Sequence, residues 1–157
     1  MVIILIKMQT AQEGQAGKQA KRNKLVIVVS KGTIDALYPP LILATTGAAQ
    51  SMEVHLYFTF GGMKLLSKET SDHLFTSVDL GLKTEELQAL LQKGGMPTVK
   101  DMLKTAREMG VKVHACSPTM GVFGTNKDSL VDEVDDIIGA ATYLDYASDP
   151  DAITLFV

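Results

Sequence analysis

The stretch LVIVV, residues 25–29, sets the fold class of this chain. Five consecutive apolar residues, most of them β-branched, are typical of a strand that is buried on both faces. Further strands are predicted at residues 54–60, 111–116, 134–138 and 153–157, and helical patterns separate them. Strands that alternate with helices favour parallel pairing through right-handed crossovers. We therefore expect an α/β fold, a doubly wound layer on a mainly parallel sheet of about five strands.

Helical patterns occupy the intervals between the strands. The first covers residues 33–51, and we expect its regular part to begin at Pro39 and Pro40, because proline is tolerated in a first turn but not in a helix interior. Three more helices are predicted at residues 84–94, 97–110 and 139–147. Residues 63–83 lack a clean period and are expected to be irregular or partly helical.

Length and composition fit one globular domain. The chain has 157 residues, of which 46% are hydrophobic and 21% charged, so it belongs with folded rather than disordered proteins. Its net charge of −3 argues against a nucleic-acid partner, since phosphate binding leaves a basic surface. Residues 1–24 differ from the rest because they are basic. We expect a flexible N-terminal arm at 1–24 and a single domain at 25–157.

The opening run MVIILI, residues 1–6, is apolar but shorter than a secretory signal or a membrane span requires. A single cysteine cannot form an internal disulfide, so nothing in the sequence indicates an oxidising compartment. The histidines show no zinc-type spacing, and no dinucleotide fingerprint follows the first strand. We expect a cytoplasmic protein with no membrane span, no bound metal and no cofactor.

Unusual residues stand at three predicted strand ends. Open parallel sheets form their sites outside the carboxyl ends of the strands, so we expect these residues to converge. The three ends are Ser30-Lys31-Gly32, Thr59-Phe60-Gly61-Gly62 and Cys116-Ser117-Pro118. The candidate substrate-binding residues are Ser30, Gly32, Thr59, Phe60, Gly61, Gly62, Ser117, Met120 and Gly121.

Cys116 is the candidate catalytic residue. It precedes a Ser-Pro pair, in which Ser117 is expected to cap a helix and Pro118 to occupy its first position. The free N–H groups of a helix start carry partial positive charge, which lowers the pKa of a nearby thiol. A lone cysteine is often an inert packed hydrophobe, so the reactive interpretation requires a sulfur that solvent can reach.

The three histidines are weaker candidates. His114 precedes Cys116 by two residues, so both side chains lie on one face of the strand with α-carbons about 6.6 Å apart. That separation is long for a direct hydrogen bond, and we expect His114 to be packed or hydrogen-bonded rather than to act as a base. The sequence leaves open whether His55, His73 or His114 assists the thiol.

Six segments of the chain carry a family resemblance. They are LVIVVSKG (25–32), LILATTGAA (41–49), EVHLYFTFGGMKLL (53–66), GVKVHACSPTMGVFG (110–124), GAATYLDYA (139–147) and ITLFV (153–157). In this order they resemble the DsrE/DsrF-like family of small sulfur-handling proteins, in the branch with a single cysteine. The resemblance implies a three-layer α/β/α sandwich, assembly into homo-oligomers, and sulfane sulfur handled on Cys116.

The leading functional hypothesis is a sulfur carrier or sulfurtransferase that holds sulfane sulfur as a persulfide on Cys116. Backbone N–H groups, with a hydroxyl of Thr59 or Ser30, would stabilise the anionic sulfur. Its partners would be sulfur-donor and acceptor thiols or proteins. The alternatives are a non-catalytic homo-oligomer that binds a small ligand or partner, and a thiol redox protein. The second is disfavoured because the chain has no resolving cysteine.

Overall fold

The computed structural model describes residues 22–157, so most of the predicted N-terminal arm lies outside the described residues. The last residues of that predicted arm belong to the domain. Arg22 Nη1 donates a hydrogen bond to the Ala152 carbonyl at 3.3 Å, and Lys24 is the first residue of a strand. The folded part therefore begins before residue 25.

A five-stranded sheet forms the middle of the molecule. Its strands are β1 (Lys24–Val29), β2 (Glu53–Phe58), β3 (Lys112–Cys116), β4 (Asp136–Ile138) and β5 (Ala152–Phe156). They lie in the order β4-β3-β2-β1-β5, and every neighbouring pair is parallel. The position of β1 between two strands explains its continuous apolar run, since Val26 and Ile27 point to opposite faces and both are fully buried.

Six α-helices lie within residues 22–157. They are α1 (Ile34–Ala49), α2 (Met63–Leu66), α3 (Thr84–Lys93), α4 (Val99–Glu108), α5 (Ser117–Phe123) and α6 (Ala140–Ala147). None of these helices has the length and apolar character that crossing a membrane requires. The predicted irregular segment is partly helical, because it contains α2 and a short 3-10 turn at Val78–Leu80.

α1 runs through both of its prolines. It begins at Ile34, so the predicted start at Pro39 and Pro40 is wrong. Each proline lacks the N–H that would bond a carbonyl of the preceding turn, which penalises an interior position. The helix nevertheless packs seven buried residues on the core, including the fully buried Leu37 and Leu41. Tertiary packing therefore outweighs the local penalty.

The sheet has two different faces, because side chains alternate along each strand. On one side, the apolar face, strand residues such as Ile27, Leu56 and Val113 join one large core. α1 and α4 complete this core, for example with Leu41 and Leu103. The apolar face therefore supplies most of the buried apolar surface of the domain.

The opposite side, the histidine face, carries a second and smaller cluster. Its buried side chains are Val26, Val28, His55, Tyr57, His114, Cys116 and Ile138. Tyr143 and Tyr146 of α6 pack against this cluster. With α1 and α4 on one face and α6 on the other, the chain forms the expected three-layer α/β/α sandwich.

Candidate functional site around Cys116

Cys116 is both the last residue of β3 and the N-cap of α5. Ser117 and Pro118 are therefore the first and second helical residues, and the cap predicted at Ser117 is wrong by one position. The strand passes into the helix with no residue between them. This shift makes Thr119 the third helical residue, whose backbone N–H commonly faces the N-cap side chain.

The sulfur of Cys116 is covered in this structure. The residue is only 4% exposed, so the requirement that solvent reach the sulfur is not met in this conformation. Its buried neighbours are Val28, Tyr57 and Ile138, and Tyr143 packs against them from α6. The surroundings therefore include phenol rings as well as aliphatic side chains.

The thiol of Cys116 is nonetheless surrounded by donors that favour its ionisation. Burial alone raises its pKa, because a charged sulfur loses solvation. Hydrogen bonds from the hydroxyls of Thr119, Thr59 and Tyr57, and from the Thr119 backbone N–H, outweigh this effect and place the pKa below that of an ordinary cysteine. The Cys116 side chain makes no capping hydrogen bond in this structure.

The donors at this site have a defined direction. The Phe60 N–H donates to Thr119 Oγ1 at 3.2 Å and occupies one of its two lone pairs, so this hydroxyl can still accept a second hydrogen bond and donate one. Thr59 Oγ1 lies 3.0 Å from the same oxygen. Burial, and then the hydrogen bond to the Cys116 sulfur, raise the pKa of Tyr57, so its phenol remains a donor at neutral pH. Because Thr59 and Thr119 bond each other through one hydrogen, one of these two hydroxyls at a time is free to donate to the Cys116 sulfur alongside Tyr57.

The loops that follow β1 and β2 interlock through their glycines. A Cβ on Gly32 would clash with the Gly61 carbonyl, and a Cβ on Gly62 would clash with the Val29 carbonyl. The Gly62 N–H also donates to the Ser30 carbonyl at 3.2 Å. These glycines are required for backbone-to-backbone packing, which fixes the loop after β2.

The side chain of Ser30 is bonded away from the thiol. Its Oγ donates to the Val157 carbonyl at 2.8 Å, and its N–H donates to the same oxygen at 2.7 Å. Of the two hydroxyls considered from the sequence, Thr59 therefore reaches the Cys116 sulfur, whereas Ser30 holds the end of the sheet.

The remaining candidate residues lie at the rim of the site or in the core. Phe60 has φ 41°, in the left-handed region that is costly for a bulky residue, and its ring is 60% exposed. Ser117 and Gly121 are exposed on α5, and a Cβ on Gly121 would meet nothing within 4 Å. Met120 packs into the large core of the apolar face instead.

The two strand histidines form a hydrogen-bonded chain beside the thiol cluster. Glu53 Oε1 lies 2.7 Å from His55 Nε2, and His55 Nδ1 lies 2.9 Å from His114 Nε2. The ring of Tyr146 stacks on His55 with centroids 4.2 Å apart. His114 is thus hydrogen-bonded within the fold, as expected, and its Nε2 does not serve the Cys116 thiol.

His114 is neutral at physiological pH. Burial lowers its pKa to about 4, and the neighbouring His55 acts in the same direction. When the Glu53 carboxylate accepts from His55 Nε2–H, His114 Nε2–H donates to His55, which leaves His114 Nδ1 without a proton. That nitrogen has no hydrogen-bond partner among residues 22–157 and lies 4.0 Å from Asp136 Oδ2. His73 is exposed and does not belong to this chain of hydrogen bonds.

Sequence reasoning missed three residues of the site. Thr119 had a local signal, because a hydroxyl in the first turn of a helix can return to the N-cap residue. Tyr57 lies directly opposite His114 in the sheet, and this pairing depends on the register of β2 against β3. Tyr143 belongs to a distant helix, and only the packing of α6 brings it to the cluster.

A parallel five-stranded sandwich with a cysteine at a strand end is the architecture expected from the family resemblance. The family model described as DsrE/DsrF/DrsH-like matches residues 21–79 and 74–156, which together span the described domain. The chain therefore belongs to the DsrE/DsrF/DrsH-like family, and the resemblance found in six sequence segments is confirmed.

Two curated proteins are similar to the chain over nearly their whole length. The sulfur carrier protein DsrE2 of Allochromatium vinosum is 29% identical, over 87% of this chain and 99% of that protein. The protein YrkE of Bacillus subtilis is 27% identical, over 89% of this chain and 99% of that protein. The first of these relatives supports a sulfur-handling class.

Solved structures share the fold at lower identity. The ychN protein of E. coli has a TM-score of 0.56 and 19% identity, and the match covers 86% of this chain and 99% of that one. A Bacteroides thetaiotaomicron protein has a TM-score of 0.59 and 11% identity, over 90% of this chain and 100% of that one. These two structures support the three-layer architecture alone.

Proposed function

We propose that this protein is a sulfur carrier or sulfurtransferase that holds sulfane sulfur as a persulfide on Cys116. The observation that carries the proposal is the position of Cys116 at the N-cap of α5, where the hydroxyls of Thr119, Thr59 and Tyr57 lower the pKa of its thiol. Fixed donors of this kind stabilise an anionic sulfur because they need no reorganisation when the charge develops. The similarity to a protein named as a sulfur carrier supports the same class.

The proposed step is a nucleophilic displacement at sulfur. The Cys116 thiolate attacks the outer sulfur of a persulfide donor R–S–SH, a new S–S bond forms on Cys116, and R–S⁻ leaves. An acceptor thiolate then attacks the outer sulfur of the Cys116 persulfide, and the Cys116 thiolate is restored as the leaving group. The donors around the sulfur serve the thiolate both as nucleophile and as leaving group.

Intact-protein mass spectrometry tests this step directly. After incubation with a persulfide or thiosulfate donor, the wild-type protein is expected to gain the mass of one sulfur atom and to lose it on treatment with a reducing thiol. Cys116→Ser is expected to gain nothing. Wild-type protein that takes up no sulfur, or a Cys116→Ser variant that takes up as much, contradicts the proposal.

The proposal extends to partners and assembly. Sulfur-donor and acceptor thiols, on small molecules or proteins, are the partners that the displacement requires, and a thiol that must stay reduced favours a cytoplasmic location. Exposed apolar side chains, among them Val122 and Phe156, support a homo-oligomer, because a contact between subunits would bury them. Light scattering at micromolar concentration checks the assembly, and a mass of one 16.9 kDa chain contradicts it.

A ligand-binding protein without covalent chemistry is the second candidate. The burial of Cys116 favours it, as does a cleft of about 670 Å³ lined by residues such as Tyr38, Leu91 and Met96. A ligand of that cleft would raise the melting temperature of wild-type protein and of Cys116→Ala equally. Such a ligand, together with no uptake of sulfur, would favour this function over the first.

A further inference from the structure

α6 is the element that covers the Cys116 cluster. Within residues 22–157, the partly buried hydrophobic side chains that pack against this cluster are Tyr143 and Tyr146 of α6. The ring of Tyr143 stacks on Tyr57, a member of the cluster, with centroids 5.1 Å apart. Access of solvent to the sulfur therefore depends on how firmly α6 is held against the sheet.

α6 is held much less firmly than α1. It has eight residues, none of them buried, whereas the sixteen residues of α1 include seven buried ones. A helix of this length is not stable in isolation, so its contacts with the sheet must keep it in place. Its first turn has no acidic residue and its last turn has no basic one, so side-chain charges do not offset the helix dipole. The stacked tyrosines are thus its principal attachment.

The two ends of α6 differ in how they are fixed. After its C-terminal end, Asp149 pairs with Lys24 at 2.7 Å and accepts a hydrogen bond from the Asp151 N–H at 2.9 Å. At its N-terminal end, the N-cap residue Gly139 has no side chain that could accept a capping hydrogen bond. A Cβ built on Gly139 would lie 3.8 Å from Ser117 Oγ. Gly139 is the single residue between α6 and β4, whose last residue Ile138 pairs with Cys116 in the sheet.

We propose that α6 is a gate that swings away from the histidine face to admit reagents to Cys116, with Tyr143 and Tyr146 holding it shut. The movement turns the helix about its two attachments, the joint at Gly139 next to β4 and the segment of Asp149 after the helix. The gate controls access whatever chemistry the thiol performs. Its test therefore uses iodoacetamide, a plain alkylating agent, and fails or succeeds independently of sulfur transfer.

The alkylation rate of wild-type protein distinguishes local opening from global unfolding. We expect Cys116 to react with iodoacetamide more slowly in the native protein than in the urea-unfolded chain. The native rate should stay nearly constant over the first additions of urea, because a local opening exposes little surface. A rate that rises steeply from the first addition means that only global unfolding exposes the sulfur, and it overturns the gate.

Tyr146→Ala is the decisive variant, because this ring stacks on His55 and not on Tyr57 beside the thiol. Faster alkylation in this variant, accompanied by faster hydrogen exchange of the α6 amides, requires the helix to move, because Tyr146 also packs against the cluster that contains Cys116. Tyr146→Ala loses the stacking on His55 and His114 and Tyr143→Ala loses the stacking on Tyr57, and each loss predicts a roughly two- to tenfold faster reaction. Alanine favours helix more than tyrosine does, so weaker helix propensity cannot be the cause. Leu144→Ala, on the exposed side of the same helix, is the matched control and leaves the rate unchanged.

Gly139→Ala tests the joint at residue 139, and its expected effect on the alkylation rate is opposite to that of the tyrosine variants. Gly139 has φ −93°, which alanine adopts without strain. The substitution restricts the open state more than the closed one, and we expect alkylation to slow roughly two- to fivefold. A rate equal to or faster than that of wild-type protein means that residue 139 is not the joint.

Amide hydrogen exchange measures the opening of α6 in the wild-type protein, without any substitution. The amide of Ser148 donates to the Leu144 carbonyl at 2.9 Å and reports the helix directly. We expect the amides of α6 to exchange with an opening constant equal to the one obtained from alkylation, while those of α1 stay protected. Two results overturn the gate. The first is equal protection of the amides of α1 and α6. The second is faster alkylation of Cys116 in Tyr143→Ala but not in Tyr146→Ala, which would mean that Tyr143 alone covers the sulfur on a helix that does not move.

Discussion

The two faces of the sheet share the same strands but bury different chemistry. On the apolar face, aliphatic side chains and Phe58 lie under α1 and α4 in one large core. On the histidine face, imidazoles, a phenol and a thiol lie under the single short helix α6. Phe58 and Tyr57 are neighbours in sequence and yet belong to different faces. The comparison teaches that the apolar face stabilises the domain. This stability offsets the free-energy cost of burying polar side chains and a thiol on the histidine face.

The largest effect is expected from truncation of the apolar face. Phe58→Ala removes a fully buried ring from the large core and should lower the free energy of unfolding by about 3–5 kcal/mol. Tyr57→Phe removes only one hydroxyl from the other face and should lower it by no more than about 1.5 kcal/mol. Urea denaturation measures both values. Equal losses would mean that the two faces do not differ in energetic role.

Thr119→Val acts on the histidine face alone. It keeps the branched shape but removes a hydroxyl that bonds the Cys116 thiolate, so the pKa of the thiol should rise. A hydrogen bond to a charged group contributes roughly 1.5–3 kcal/mol, and alkylation near neutral pH should slow about tenfold or more. The pH profile of alkylation is the measurement. Thr119→Ser keeps a hydroxyl and should restore the wild-type profile; a Thr119→Val profile identical to wild type argues against the donor role.

The loops that follow β1 and β2 lie at the end of the sheet that both faces share. Their interlocking glycines allow a further test of stability. Gly62→Ala places a Cβ against the Val29 carbonyl, where backbone must shift, and should destabilise the protein by about 1–3 kcal/mol. Gly121→Ala is the matched control, because its Cβ meets nothing within 4 Å and alanine favours the helix there. We expect this control to be neutral or slightly stabilising in urea denaturation. Similar losses at both positions would show that the loops do not interlock.

The histidine face also gives the stability of the protein a dependence on pH. Folding lowers the pKa of His114 from 6.5 to about 4, although Asp136 and Asp135 partly oppose the shift. Between these two values the unfolded chain binds a proton that the folded chain does not. The stabilising contribution is therefore complete above about pH 6.5 and is lost as the pH falls towards 4. Urea denaturation of His114→Gln across this range should give a flatter dependence than wild type.

The exposed His73 supplies the control for that measurement. His73→Gln changes the same residue type at a position outside the hydrogen-bonded chain, so its pH dependence should match that of wild type. A His114→Gln variant that retains the full wild-type slope would assign the pH dependence to other groups. Glu53, whose pKa is lowered by its hydrogen bond to His55, would be the first of these to examine.

Local sequence patterns were sufficient for most of the fold. The LVIVV run gave the expected central strand, and Gly94 lies at the predicted end of α3. The start of α1 was wrong for a physical reason. The penalty of Pro39 and Pro40 is local and visible in the sequence, whereas the burial of Leu37 against the sheet exists only in the assembled fold.

The candidate site, too, was predictable only in part from the sequence. Cys116 and Thr59 could be chosen from the sequence because each stands at a predicted strand end. The contact of His55 with His114 depends on the register of two strands, and no local pattern reveals it. The burial of Cys116 under α6 depends on packing across the sheet, so the sequence singled out this cysteine as the candidate but did not reveal what covers it.

The place of β1 between β2 and β5 also has a consequence for synthesis of the chain. β1 pairs with β2 early, but its other edge waits for β5, and the paired residues Lys24 and Ala152 are separated by 152 − 24 = 128 positions. Pairing over such a distance slows folding, and an unpaired apolar edge is a template for aggregation. The most apolar strand of the domain is therefore the one whose edge stays open longest on the ribosome, and nascent chains rather than finished molecules carry the greatest risk of misassembly.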